Sequence, residues 1–141
     1  MKHIIEHELL KQQDITMEHE QMPNGENRFR IKTTDNSMVS FCKSEKISGW
    51  QNAHYHKNSR ELYVVQTGEV ILVIQDNENK IEYHLLHTGE TYMVEPDVKH
   101  NVYLLEGAST CVIKFGAQME KDWFPAIELD KICKSLAKQV S

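Results

Sequence analysis

The stretch from Asn52 to Glu61 reads NAHYHKNSRE and places two histidines and a carboxylate close together in the chain. On a β-strand, residues i and i+2 lie on the same face, so His54 and His56 are expected to stand side by side. Two adjacent imidazoles with Glu61 nearby form either a metal site or a polar strip on the surface. The rest of the sequence distinguishes these two interpretations.

Length and charge limit the class of protein. A chain of 141 residues is long enough for one domain and short for two. A core of this size does not need a metal in order to fold, so a bound metal would serve a function. Sixteen Lys and Arg against twenty-one Asp and Glu give a net charge of −5, which argues against nucleic acid or an anionic membrane as the main partner.

The three cysteines, Cys42, Cys111 and Cys133, lie far apart and form no CxxC pair. This pattern predicts neither a cysteine zinc site nor a disulfide framework. Cys42 and Cys111 lie in apolar strand-like runs, where buried inert thiols are the ordinary interpretation. The sequence contains no secretory signal and no apolar run long enough to span a membrane. We therefore expect a reduced, cytoplasmic protein whose partner is a small molecule.

Residues 28–116 contain a series of short strand-like segments separated by turn residues. The first, RFRIK, alternates Phe29 and Ile31 with three basic residues, which is a half-buried strand pattern. The later segments are SMVSFC, ELYVVQTGEVILVIQ, IEYHLL, TGETYMVEP, HNVYLLEG and STCVIKF. Many short strands with regular turn signals predict an all-β sandwich or small barrel.

Two terminal segments flank this β-region within a single domain. Residues 1–25 are predicted as a helical or irregular extension, residues 26–118 as the β-barrel domain, and residues 119–141 as a C-terminal amphipathic helix packed on the barrel. The helix can begin at Pro125, because proline suits the first helical position. Its apolar residues recur at helical spacing, at Leu129, Ile132, Cys133, Leu136 and Val140.

A third histidine, His100, ends the segment EPDVKH. Neutral imidazoles together with one carboxylate suit iron, manganese, nickel, cobalt, copper or zinc. Four protein ligands leave an octahedral ion two open positions, as a catalytic or ligand-binding centre requires. The residue types therefore favour one divalent transition metal and leave its identity open.

Two motifs resemble those of a known family. The run from Gly49 to Gly68, G-(x4)-H-x-H-(x4)-E-(x6)-G, closely resembles the first motif of the cupin superfamily, and residues 89–100, GETYMVEPDVKH, resemble the second. The resemblance implies a small single-domain cupin of the metal-binding type, which is an antiparallel jelly-roll barrel. It also implies one metal bound inside by His54, His56, Glu61 and His100.

The sequence departs from the family pattern in its loops and keeps all four ligands. Gly49 lies one residue too close to His54, and Leu104 stands where the family often has Asn. Glu95 replaces a frequent proline, and Asp97 replaces a frequent glycine. Because Asp tolerates a left-handed backbone better than most residues, we expect the turn at Asp97 to survive.

Strand parity predicts which side chains surround the metal. Trp50 and Asn52 share a face with His54, Tyr63 and Val65 share one with Glu61, and Val102 shares one with His100. The predicted pocket is mostly apolar and aromatic, with Asn52 and Tyr63 as polar groups. Core packing explains Trp50 and Tyr63 equally well. Tyr63 is the one protein side chain that the sequence offers as a general base.

The predicted centre favours a metal-dependent enzyme acting on a small organic molecule. A redox metal would support an oxygenase such as a dioxygenase, whereas a non-redox ion would act as a Lewis acid in an isomerase, decarboxylase or lyase. The scarcity of inward-facing Arg or Lys argues against a nucleotide-sugar or multiply phosphorylated substrate.

Two alternative functions remain open. One is a non-catalytic cupin that binds a metal or a carbohydrate-like ligand as a sensor or accessory module. The other is a keto-sugar isomerase of the cupin type, because AHYHK resembles the HAHK motif of those enzymes. Those enzymes use histidines as acid and base groups without a metal. Glu61 at its cupin spacing disfavours this function, because that chemistry has no use for the carboxylate. The resemblance also implies a homodimer, as is common among small cupins.

Overall fold

The computed structural model describes residues 14–33, 37–45, 49–116 and 122–140, the last four of these for the backbone alone. The described chain forms the following elements. The strands are β1 (Ile15–Gln21), β2 (Asn27–Thr33), β3 (Met38–Lys43), β4 (His54–Tyr55), β5 (Arg60–Thr67), β6 (Glu69–Gln75), β7 (Ile81–His87), β8 (Thr91–Val94), β9 (Lys99–Leu104), β10 (Ser109–Phe115) and β11 (Phe124–Pro125), and the helix is α1 (Ile127–Val140).

The strands form two antiparallel sheets. One sheet has six strands in the order β1-β2-β3-β10-β5-β8, and the other has five in the order β11-β4-β9-β6-β7. Strands that follow one another in the chain repeatedly change sheets, as in a jelly roll. The predicted antiparallel jelly roll is confirmed, in the form of a two-sheet sandwich whose sheets do not close into a continuous barrel.

Side chains on the facing sides of the two sheets form the main core. Along β5, buried and half-buried residues alternate, and Tyr63 and Val65 lie on the buried side together with Glu61. On β9, Val102 is buried on the same side as His100. The strand parity inferred for β5 and β9 therefore agrees with the observed faces.

Gly68 joins β5 to β6, where the chain passes from one sheet to the other. Its φ angle is 76°, in the left-handed region, and a Cβ atom at this position would lie 2.9 Å from the Cα of Ala108. Both the conformation and the available space therefore require glycine. Asp97 also adopts a left-handed backbone, with φ of 66°, as expected for the turn before His100.

Strand β2 has the predicted alternation, but its basic residues face inward. Arg28 and Arg30 pair with Cys42 and Ser40 of β3, which are buried, whereas Phe29 is 41% exposed. Directly paired residues of antiparallel strands project to the same side of the sheet. This corrects the expectation that few basic side chains point inward. The physical reason is that this part of the interior is a solvent-accessible cavity, where guanidinium groups avoid the full cost of burial.

Part of the segment predicted as a helical or irregular N-terminal extension is a β-strand, β1. The sequence predicts a helical or irregular segment over residues 1–25, whereas Ile15–Gln21 is an edge strand paired with β2. Its side chains are almost all exposed, so it lacks the apolar alternation by which strands are recognised. Cross-strand ion pairs hold it in place, such as Arg30 with Glu20 at 2.7 Å. Residues 1–13 of the extension lie outside the described residues.

Helix α1 packs on the outer side of the five-stranded sheet. Leu129 and Cys133 are fully buried in a cluster with Ala53, which precedes β4. The carboxylate of Asp130 accepts a hydrogen bond from the main-chain nitrogen of Ala53 at 3.0 Å. The predicted amphipathic helix is confirmed, although it begins two residues after Pro125, which belongs to β11.

The three cysteines carry free thiols. Cys42 is buried, as expected, whereas Cys111, which was also expected to be buried, is half-buried. Cys133 of α1 is buried as well. Within the described part of the chain, no helix has both the length and the apolar composition needed to span a membrane.

Candidate metal centre

Four side chains from the two sheets converge on one point. Strand β4 carries His54, His56 follows directly after it, and β9 carries His100, which pairs with His54 across the two strands. Glu61 comes from β5 in the opposite sheet. One possible ligand atom from each residue lies within 4.8 Å of the others. The fold thus brings all four predicted ligands together at the interface between the sheets.

Hydrogen bonds from Nδ1 to main-chain oxygens orient the three imidazoles. The Nδ1 atom of His54 donates to Asn52 at 2.8 Å, that of His56 to Asp122 at 2.5 Å, and that of His100 to Val98 at 2.9 Å. A carbonyl oxygen only accepts, so each Nδ1 carries a proton and each Nε2 of a neutral ring carries a lone pair. All three rings are therefore held in the tautomer that binds a metal through Nε2.

The three Nε2 atoms surround a single oxygen of Glu61. Its Oε1 lies 2.6 Å from His56, 3.1 Å from His100 and 3.9 Å from His54. Among the described residues, the buried Nε2 of His56 has no hydrogen-bond partner. Electron-pair donors at such short separations repel one another unless they share a cation or a proton. The donor set and its orientation fit a divalent transition metal.

Burial and mutual contact set the protonation states of these groups. Burial, followed by the charge of His100, lowers the pKa of His54 to about 4. Burial alone raises the pKa of Glu61, but its close contacts with His100, His54 and His56 outweigh burial and lower that pKa well below its usual value. At neutral pH, His54 is therefore neutral and Glu61 is ionised, as metal binding requires.

Asp122 supports the loop that carries His56. Its carboxylate accepts hydrogen bonds from the main-chain nitrogens of Lys57 at 2.7 Å and Asn58 at 3.1 Å, and from the Ser59 hydroxyl at 2.7 Å. Burial raises the pKa of Asp122, but these hydrogen bonds lower it overall. No local pattern in the sequence identifies Asp122, because it lies 66 positions from His56 and no short spacing relates the two.

A cavity of about 400 Å³ opens beside His54. Its lining includes Arg28, Arg30, Trp50, Asn52, His54 and Trp123. Trp50 and Asn52 were predicted to lie near the metal, and both line this cavity. Trp123 was not predicted, because it belongs to the segment assigned to the C-terminal helix. Its ring stacks on His54 with centroids 5.5 Å apart.

The other three predicted pocket residues, Tyr63, Val65 and Val102, belong to the buried core and are absent from the described lining of this cavity. Parity identifies their inward face correctly, but neighbouring core side chains cover them. Burial, followed by the charge of Glu61, raises the pKa of Tyr63 well above its usual value. Its hydroxyl stays protonated at neutral pH, which makes it a poor general base.

A basic side chain of β10 also lies on the inner face that carries the two cavity arginines. Lys114 of β10 pairs with Glu61 of β5, so the two project to the same side of the sheet. Burial lowers the pKa of Lys114, the charge of Glu61 opposes this, and the charges of Arg30 and Arg28 add to it. The interior is therefore more basic than expected from the sequence, and its charge does not disfavour a phosphorylated substrate.

Comparison with known proteins supports the fold. Neither a protein-family model nor a curated protein sequence matches the chain. Among solved structures, oxalate oxidase in complex with glycolate is similar with a TM-score of 0.59 and 18% identity, covering 70% of this chain and 54% of that one. Oxalate decarboxylase from Bacillus subtilis is similar with a TM-score of 0.64 and 15% identity, covering 78% of this chain and 30% of that one.

A third similar structure is the CENP-C domain of Drosophila melanogaster, with a TM-score of 0.61 and 13% identity, covering 70% of this chain and 72% of that one. At these identities the similarity shows the fold alone. The chain corresponds to about half of the oxidase and less than a third of the decarboxylase. The chain thus has a jelly-roll fold of the cupin type. Inside it lies a buried cluster of three histidines and one glutamate that could hold a metal.

Proposed function

We propose that the protein is an enzyme that binds one divalent transition metal through His54, His56, Glu61 and His100 and acts on a small organic molecule in the adjacent cavity. The observation that carries this proposal is the meeting of three oriented Nε2 atoms around the Glu61 carboxylate. A closed structural zinc site has no need of a cavity, whereas here the His54 ring forms part of the cavity wall.

The side chains of the protein supply orientation and charge balance, and they form the walls of the cavity. When bound, the ion supplies Lewis-acid polarisation and, if it is redox-active, electron transfer. Main-chain oxygens hold the imidazoles in one tautomer, and Glu61 offsets part of the positive charge. Trp50 and Trp123 form apolar walls of the cavity beside His54, and Asn52 can hydrogen-bond to a substrate there.

Two reaction classes suit such a centre. Oxygen-dependent oxidation requires a redox-active ion, whereas decarboxylation or isomerisation can proceed through polarisation of a carbonyl or carboxyl group. The similar structures are named for an oxidation and a decarboxylation, with glycolate bound in one of them. These names support small organic acids as the first compounds to assay.

The test begins with elemental analysis of protein purified without chelator and without an affinity metal. Iron-loaded and manganese-loaded protein is then assayed for oxygen uptake and carbon dioxide release with small organic acids, diketones and phenols. We expect about one metal per chain and metal-dependent turnover of at least one compound. Glu61→Gln should lose both, and His84→Ala, which changes a histidine outside the centre, should lose neither. Protein that acquires no metal under any loading condition would contradict the proposal.

A non-catalytic ligand-binding module is the second candidate function. One observation favours it: apart from His54, the described lining of the cavity holds no side chain suited to general acid–base catalysis. This candidate predicts metal retention and saturable ligand binding with no turnover in any of the same assays. The two candidates therefore differ in the activity measurement and agree in the metal analysis.

A further inference from the structure

The inner face of β2 carries two basic side chains that are not part of the candidate metal centre. Arg28 and Arg30 line the same cavity as His54. They are two residues apart on one strand, and both pair with buried residues of β3, so both project inward. The cavity therefore lies between one of the proposed metal ligands and two guanidinium groups.

Both arginines are held in place and still have N–H donors to offer. Arg28 donates from Nε to the sulfur of Cys42 at 3.3 Å, and a terminal nitrogen lies 3.5 Å from the fully buried Glu26. Arg30 donates to Glu20 at 2.7 Å. A guanidinium has five N–H donors in a planar fork, so these contacts leave others for a ligand. Because these contacts hold the Arg28 and Arg30 side chains in place before a ligand arrives, little conformational freedom is lost on binding.

Lys114 adds positive charge to the same inner face of the sheet as the two arginines. Its amine makes no hydrogen bond or ion pair with the described residues, and Glu61 is the one negative charge among the main electrostatic influences on it. A cation bound at the centre would share the charge of Glu61. The inner face would then carry a surplus of positive charge, and an anionic ligand in the cavity would offset it.

We propose that Arg28 and Arg30 form an oxyanion-binding subsite. The ligand is a compact molecule whose terminal carboxylate or phosphate contacts these arginines while its other end reaches the metal centre. The planar guanidinium fork matches both kinds of group. The identity of the second end rests on the proposed function, whereas the oxyanion subsite can be tested with or without a metal. Trp50 and Trp123 give the cavity apolar walls that suit a short carbon chain between the two ends.

Tryptophan fluorescence provides a direct test, because the two tryptophans of the chain, Trp50 and Trp123, both line the cavity. Zinc-loaded full-length protein is titrated with succinate, with its neutral analogue succinamide, and with 3-phosphonopropionate. The same titrations are repeated in chelator, and zinc content is measured for every variant. Comparison of succinate with the phosphonate distinguishes a carboxylate from a phosphate preference.

Arg30→Gln is the main variant, because Arg30 is partly exposed and its partner Glu20 lies at the surface. Lys114→Met, which keeps the side-chain volume, is a second variant that acts through charge. Lys32→Gln is the matched control: it removes a basic residue from the same face of the same strand, but Lys32 pairs with Glu18 and is not part of the described cavity lining. Thermal melts of all three exclude unfolding as the cause of a change.

We expect saturable binding of a dianion, no comparable response to succinamide, and affinity about tenfold lower or worse in Arg30→Gln. Lys114→Met should weaken binding several-fold, and Lys32→Gln should bind as the wild type does. Equal response to succinamide, wild-type affinity in Arg30→Gln, or no saturable response to either dianion would overturn the subsite. If zinc is not retained but Arg30-dependent binding persists, the metal proposal fails and the subsite stands. If zinc is retained without Arg30-dependent binding, the subsite fails and the metal proposal stands.

Discussion

The Nδ1 atom of His56 lies 2.5 Å from the main-chain oxygen of Asp122, so a residue 66 positions further along orients one of the candidate metal ligands. The Asp122 carboxylate in turn accepts three hydrogen bonds from the loop of residues 57–59. The segment that precedes α1 and the histidine motif therefore form one structural unit. Metal affinity should depend on this contact as well as on the four ligands themselves.

Asp122→Ala keeps the main-chain oxygen that orients His56 but removes the carboxylate that holds the loop of residues 57–59 against it. It should lower metal affinity by about 10-fold, the low end of the range for losing a group that supports a metal ligand. It should also reduce the free energy of unfolding by about 2 kcal/mol, because hydrogen bonds to a charged acceptor are lost. Competition with a chromophoric chelator and urea denaturation measure the two effects. Asp76→Ala is the matched control, because Asp76 accepts two main-chain hydrogen bonds at 2.9 Å in the β6–β7 turn. The control should lose stability and keep its metal affinity.

His56→Ala should abolish metal uptake while the protein remains folded. Removal of a direct ligand costs more than the 10- to 100-fold expected for a supporting group, and the core formed by the two sheets does not include this side chain. Elemental analysis gives the metal content, and circular dichroism gives the melting curve of the metal-free protein. His84→Ala, which removes a histidine paired with Glu82, should bind metal normally. Gross unfolding of His56→Ala in the presence of chelator would assign the histidine a structural role instead.

The metal-free protein should lose stability as the pH falls from about 6.5 to about 4. The pKa of His54 is about 4 in the folded protein and 6.5 in an ordinary environment, so the unfolded chain binds the proton more readily and acid favours unfolding. At 1.36 kcal/mol per pKa unit, the loss attributable to His54 is about 3 kcal/mol. The lowered pKa of Glu61 acts in the same direction at still lower pH.

Urea denaturation in chelator, repeated across this pH range, measures the pH effect. His54→Gln should show a shallower loss of stability than the wild type, because its side chain does not titrate. His87→Gln changes an exposed histidine and serves as the control. A His54→Gln curve parallel to that of the wild type would show that His54 does not govern the pH dependence.

Gly68→Ala should destabilise the fold by about 2 kcal/mol or more. The substitution combines a left-handed backbone, which costs a side chain roughly 1–2 kcal/mol, with a Cβ atom placed 2.9 Å from the Cα of Ala108. Gly89→Ala separates the two causes, since Gly89 has φ of 86° but nothing within 4 Å of an added Cβ. Thermal and urea denaturation should therefore rank the variants with Gly68→Ala clearly the less stable. Equal losses would mean that the backbone conformation alone matters.

Local pattern was sufficient for much of the fold and for the four candidate ligands. The alternation in β5 correctly placed Glu61, Tyr63 and Val65 on one face, and the spacing of Leu129 and Cys133 correctly predicted the buried face of α1. These predictions succeed because side-chain direction in strands and helices follows from backbone geometry over a few residues. The same alternation could not determine which face of β2 is turned inward.

By itself, the sequence determined the kind of elements, their order and the chemistry of the ligand set, since each depends on residue types at short separations. The tertiary structure alone decided that Arg28 and Arg30 face the interior, that Asp122 orients His56, and that Trp123 stacks on His54. Those relationships join distant parts of the chain around a solvent-accessible cavity. A cavity allows charged groups to point inward without being fully desolvated, and no local hydrophobic pattern records where one will form.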